Sequence, residues 1–101
     1  MATDSSVHIQ LEDDGGSKGR WVATLDGVSG EAEMTFSRMS PTSLIIDHTG
    51  VPDTMAGRGV ARALYENLIE EARAKGFKIV PLCPYVKSQL AKHPEHQDVV
   101  L

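Results

Sequence analysis

The stretch from Ser43 to Gly76, SLIIDHTGVPDTMAGRGVARALYENLIEEARAKG, constrains the fold more than any other part of the chain. It reads as an apolar strand, a turn-rich link, a glycine corner and one long amphipathic helix. Leu44, Ile45 and Ile46 supply apolar, largely β-branched residues, and the strand runs on through Asp47, His48 and Thr49 to Val51. Pro52 ends regular pairing, because proline has no N–H and a fixed φ. Val60, Leu64, Leu68 and Ala72 then recur at every fourth position, with Ala61, Tyr65 and Ile69 beside them, so the helix presents one broad apolar face. Glu66, Glu70, Glu71 and Arg73 fall on the other side as a solvated face, and Gly76 predicts a left-handed stop. A further apolar strand over Lys78–Cys83 completes a βαβ unit, so its two strands are expected to be parallel with a right-handed crossover.

The first half of the chain has a different period. Val7–Glu12, Arg20–Asp26 and Ser29–Arg38 each alternate apolar with polar residues, separated by a Gly-rich turn at residues 13–19 and a second turn at Gly27. Three half-buried strands in an antiparallel meander are expected, after a frayed lead-in over Met1–Ser6. Beyond the fifth strand a short helix from Pro84 or Tyr85 to Lys92 has Val86 and Leu90 on its inner face and ends at Pro94. Glu95–Leu101 shows no strong pattern. The fold class is therefore mixed α+β and α/β: an antiparallel meander, a parallel βαβ unit and a short C-terminal helix.

Length and charge narrow the function. A chain of 101 residues is expected to form one domain with a single core. A formal net charge of −4 and the lack of a basic patch argue against nucleic acid as a partner. One cysteine permits no internal disulfide and fits a reducing compartment. No apolar run reaches the roughly 20 residues of a membrane span, and no signal-peptide core is present. A cytoplasmic location without a membrane partner is the expectation. The first strand offers an edge on which two copies can pair, which leaves a homodimer open.

A strand, a glycine corner and a helix N-terminus together present unpaired N–H groups in a concavity, and the helix dipole makes that corner suited to phosphate. Here the corner is Ala56-Gly57-Arg58-Gly59-Val60-Ala61, and Arg58 adds a charge. The alternative is a tight strand-to-helix turn with no ligand. No Gly-Lys-Ser/Thr follows, so this is not a nucleotide-triphosphate loop. Arg62 stands where a dinucleotide fingerprint needs its third glycine, which rejects that motif too.

The corner resembles the acyl-CoA pyrophosphate loop of the GNAT superfamily of N-acetyltransferases, Gln/Arg-x-x-Gly-x-Gly/Ala. With PLCPY at Pro81–Tyr85 and HPEHQD at His93–Asp98, the chain is similar to a small, single-domain GNAT-like family over nearly its whole length. The resemblance implies a minimal GNAT fold whose fourth and fifth strands splay at their C-terminal ends. It also implies acetyl-CoA as co-substrate, bordered by Thr49 and Val51 and held at its pyrophosphate by Gly57, Arg58, Gly59, Val60 and Ala61, and an amine as acceptor. Ala56 replaces the usual Arg or Gln, and Gly50 replaces a Glu that relatives carry after the His-Thr pair.

Catalytic candidates must lie at the mouth of the fourth and fifth strands. The His48 imidazole can take a proton directly or through water, or it simply ends a strand. Strand alternation places it on the face opposite Asp47. Cys83 reads three ways: a small buried hydrophobe, a nucleophile if its thiolate is favoured, or a thiol lining the acyl pocket. Tyr85 occupies the place where many GNAT enzymes carry the tyrosine that protonates the leaving thiolate; otherwise it packs over the groove. His93 and His96 do not have zincin spacing, so no metal is expected and the tail is read as packing back on the sheet. Two function classes follow: an acetyltransferase acting on an amine, or a CoA-binding module with little turnover.

Overall fold

The alternating segments become a meander and the strand–corner–helix stretch becomes its crossover. In the computed structural model, which describes residues 6–101, the order is β1 (Val7–Asp13), β2 (Lys18–Leu25), β3 (Val28–Ser40), β4 (Ser43–Gly50), α1 (Val60–Lys75), β5 (Lys78–Pro81) and α2 (Pro84–Lys92). Short 3-10 segments occupy Asp53–Met55 and Pro94–Val99. The lead-in expected over residues 1–6 lies outside the described residues except for Ser6, whose carbonyl accepts the Asp26 N–H at 3.1 Å. The five strands form one sheet in the order β1-β2-β3-β4-β5, antiparallel throughout except for the parallel β4–β5 pair. Among the described residues no helix is long and apolar enough to cross a membrane.

Register decides which side chains meet. Trp21 opposes Met34, Ala23 opposes Ala32 and Phe36 opposes Ile46, and all six are buried in one core with Leu44 and Leu25. From α1, Val60, Leu64, Tyr65, Leu68, Ile69 and Ala72 close over this core, as the fourfold spacing predicts. Ala63 is buried as well, whereas Ala61 is only half-buried. Val86 and Leu90 bring α2 into the same cluster. Gly76 takes φ +78 and its N–H bonds the Ala72 carbonyl at 2.9 Å, the left-handed stop that its sequence position predicts. The other face of the sheet is polar, with Arg20 bonded to Glu12 at 2.9 Å and Glu33 at 2.7 Å.

Three local features depart from the sequence reading. β5 ends at Pro81 rather than Cys83: Pro81 has no N–H for the ladder, and the Leu82 and Cys83 amides both turn onto the Ile46 carbonyl, at 3.1 and 2.9 Å. Leu82 is consequently 56% exposed instead of buried. The tail, which has no strong pattern in the sequence, forms a 3-10 helix; after it the expected packing back on the sheet does occur, with Val100 pairing with Ile79 and the Leu101 N–H reaching the Ile79 carbonyl at 2.9 Å. A bulge in β4 is the third. Thr35 opposes His48 while Phe36 opposes Ile46, which leaves Asp47 as an extra residue. Strict alternation is broken there, so Asp47 and His48 share the polar face and do not lie on opposite faces. Asp47 Oδ2 accepts from Ser37 Oγ at 2.8 Å, and a Cβ on Gly50 would stand 2.9 Å from His48 Nε2.

Candidate active site

The site starts with a gap between strands. β4 and β5 pair only from Ser43–Lys78 to Ile46–Pro81. Beyond Ile46, β4 continues to Gly50 with β3 alone beside it, while the chain leaving β5 swings away into α2. One edge of β4 thus keeps backbone groups that no neighbouring strand takes up, which suits an extended ligand that pairs like a strand.

At the far end of that gap lies the glycine corner. Pro52 begins the link, and the 3-10 turn Asp53–Met55 tucks Met55 fully into the core. Met55 braces the corner through its backbone: its N–H bonds the Pro52 carbonyl at 2.9 Å and its carbonyl accepts the Arg58 N–H at 3.2 Å. Gly57 and Gly59 take φ of +73 and +76, which a side chain would strain. A Cβ at either position would meet nothing within 4 Å. The glycines are therefore required by conformation and by an open approach to the backbone rather than by crowding. Gly59 is the N-cap of α1 and the first helical bond is Ala63 N–H to the Gly59 carbonyl, at 3.0 Å. The N–H groups of Val60, Ala61 and Arg62 precede that bond, and among the described residues no side chain caps them. No acidic residue occupies the first turn, so the positive end of the helix is uncompensated.

Val60, Ala61 and Arg62 line a cavity of about 300 Å³ together with Val51, Met55, Ala56, Gly57, Gly59 and Tyr85. Tyr85 enters from the first turn of α2, which Pro84 starts. Burial is the main reason its phenol pKa is raised, offset in part by Arg62, so Tyr85 is a protonated donor at neutral pH. Of the residues singled out from sequence, Val51, Gly57, Gly59, Val60, Ala61 and Tyr85 come together here. His48, Thr49, Cys83 and Arg58 do not line this cavity. Arg58 is exposed, and His48 is exposed on the polar face. Cys83 lies in the core at 2% exposure, its thiol donating to Thr49 Oγ1 at 3.3 Å across the β4–α2 junction. Arg62 and Met55 escaped the sequence reading. Arg62 had a signal, since the third helical position carries a free N–H in any helix; Met55 had none beyond an apolar residue in a polar link.

A larger concavity of about 740 Å³ lies away from this corner, lined by Glu12, Asp13, Asp14, Lys18, Arg20, Thr35, Phe36 and Asp47. Several of its charges are already paired: Arg20 with Glu12 and Glu33, and Asp13 with Arg38 at 2.6 Å. Size alone does not make it the reaction centre, because the free backbone donors are at the smaller cavity.

A splayed β4–β5 pair with a donor-lined helix N-terminus defines an acyl-CoA N-acyltransferase fold. Residues 20–99 match the family model of the GCN5-related N-acetyl-transferases, and the chain belongs to that family. Its enzyme class is therefore that of the GNAT acetyltransferases. Among solved structures it is similar to a GCN5-like N-acetyltransferase candidate from Staphylococcus aureus, solved by NMR in solution. That likeness has a TM-score of 0.67 at 33% identity and covers 97% of this chain and 91% of that one. A GNAT family acetyltransferase from Elizabethkingia anophelis with acetyl-CoA bound shares the fold at a TM-score of 0.63 and 13% identity, over 92% of this chain and 76% of that one. No curated protein matches the chain.

Proposed function

We propose that this protein binds acetyl-CoA with the pyrophosphate on the Gly57–Ala61 corner and transfers the acetyl group to an amine. The observation that carries this is the set of uncapped N–H groups at Val60, Ala61 and Arg62, residues that line one cavity with Tyr85. The E. anophelis acetyltransferase, which has acetyl-CoA bound, shares the fold and supports the choice of ligand.

In this reading the unpaired edge of β4 orders the pantetheine arm, and the acetyl carbonyl lies in the gap beyond Ile46. A backbone N–H on that edge stabilises the carbonyl oxygen as it gains charge. The amine approaches from the polar face, where the bulge has placed Asp47 and His48. Imidazole at His48 accepts the ammonium proton through water; the amine nitrogen bonds to the carbonyl carbon, the carbon–sulfur bond breaks, the Tyr85 hydroxyl protonates the departing thiolate, and the second proton shed by the nitrogen restores that hydroxyl. The acetyl group passes directly, without a stop on Cys83: that thiol is buried and already donates to Thr49.

Steady-state assays of CoA release over a panel of primary amines test this. Tyr85→Phe is expected to lower kcat about 100-fold with little change in acetyl-CoA affinity. Equal kcat in wild type and Tyr85→Phe removes Tyr85 as the acid. Cys83→Ala is expected to keep turnover within about twofold of wild type while lowering stability by about 1 kcal/mol; loss of turnover in a folded Cys83→Ala protein would instead restore a covalent route. His48→Ala is expected to reduce turnover by about 10- to 100-fold. Tight acetyl-CoA binding with no turnover on any amine marks a CoA-binding module instead.

A further inference from the structure

The segment His93-Pro94-Glu95-His96 lies outside the acyl-CoA corner and the mechanism above makes no use of it. Pro94 stops α2, and the chain continues as a 3-10 helix, in which residues three apart eclipse one another. His93 and His96 are therefore stacked, with ring centroids 5.1 Å apart and the His96 N–H bonded to the His93 carbonyl at 2.9 Å. Glu95 folds back between them: its Oε2 lies 3.1 Å from His93 Nδ1 and 3.9 Å from His96 Nε2. One ligand atom from each of the three residues can be chosen so that all lie within 4.8 Å of one another. Donors around a tetrahedral zinc ion stand about 3.3 Å apart, given bonds of roughly 2.0–2.2 Å, so small side-chain movements close the set.

A second feature orients the set. His96 Nδ1 is 2.7 Å from the hydroxyl of Tyr65, a buried residue of α1 whose ring packs 5.5 Å from that imidazole and 6.1 Å from His93. With its proton on Nδ1, His96 donates to the Tyr65 oxygen and turns the Nε2 lone pair toward Glu95. Histidines that bind metals characteristically have their other nitrogen held this way. The zincin pattern failed in the sequence because it expects two histidines four apart on an α-helix; the 3-10 turn brings them together at a spacing of three.

We propose that His93, Glu95 and His96 bind one Zn²⁺ ion through two imidazole nitrogens and a carboxylate, with the fourth position open to water. The ion bridges the C-terminal 3-10 helix and, through Tyr65, α1. Two imidazoles and one carboxylate are a borderline donor set that suits zinc over calcium or magnesium.

Untagged protein, stripped with chelator and titrated with zinc chloride by calorimetry, tests the site. One ion per chain is expected, with micromolar or tighter affinity, and excess zinc raises the Tm by about 5 °C. His93→Ala and Glu95→Gln each weaken binding by at least about 10-fold, and Tyr65→Phe weakens it by a similar factor through the lost orientation of His96. Glu95 is exposed, so Glu95→Gln keeps the fold and remains decisive if His93→Ala does not. No saturable binding at about 100 µM zinc overturns the proposal. Binding that is unchanged in both His93→Ala and Glu95→Gln overturns it equally, because the ion then sits elsewhere.

Discussion

Gly59→Glu is expected to weaken acetyl-CoA binding by at least about 100-fold while the protein stays folded. The native residue sits at φ +76 with open space where a Cβ would project. A glutamate there has two effects. Its left-handed backbone costs about 1–2 kcal/mol, which a domain of this size survives. Its carboxylate then enters the concavity and takes the N–H groups of Val60, Ala61 and Arg62 for itself, as an acidic residue at a helix N-terminus does. The same donors cannot also hold a pyrophosphate. Losing two charge-assisted hydrogen bonds of about 1.5–3 kcal/mol each exceeds the 2.8 kcal/mol or so of a 100-fold change. Gly59→Asn separates the two effects, because asparagine tolerates the left-handed region and carries no charge. That variant is expected to bind about 10-fold more weakly than wild type. Equal weakening in both variants would show that backbone strain, not occupation of the donors, is responsible.

Met55→Ala is expected to lower stability by about 3 kcal/mol, or roughly 15 °C in Tm. Met55 is fully buried, it lines the cavity at the glycine corner, and it lies in the 3-10 turn that carries the chain from β4 to the corner. Truncation leaves a void between the core and the corner. The backbone bonds from Pro52 and to Arg58 remain, but the side chain that wedges the turn in place is gone. Acetyl-CoA affinity is expected to fall together with Tm, which thermal denaturation and calorimetric titration on the same sample measure. A Tm within about 2 °C of wild type would mean that the corner is held by its own hydrogen bonds and not by this side chain.

Where a residue's neighbours lie close in sequence, the chain could be read directly. The α1 face, its Gly76 stop, the meander and the start of α2 at Pro84 all follow from periodicity and local backbone chemistry, and the structure has them. The corner was equally legible, because a helix N-terminus carries free N–H groups wherever it lies. What alternation could not show is the bulge at Asp47. A bulge depends on how β3 and β4 pair across the sheet, and it reverses the face assigned to every side chain beyond it. Cys83 was ambiguous for a similar reason: only the β4–α2 junction brings its thiol to Thr49 and buries it. The end of β5 was misplaced because Leu82 looks like a strand residue, while Pro81 before it withholds the N–H that pairing needs. The tail offered least, since a 3-10 helix has too short a run to leave a periodic signature, and the clustering of His93, Glu95 and His96 arises only within it.

The most direct test of the central claim is calorimetric titration of acetyl-CoA into the wild-type protein and into Gly59→Glu. Saturable binding of one ligand per wild-type chain, lost in the variant, is the predicted result and places the pyrophosphate on the uncapped end of α1. Absence of wild-type binding at millimolar acetyl-CoA, or equal binding by the two proteins, would contradict it.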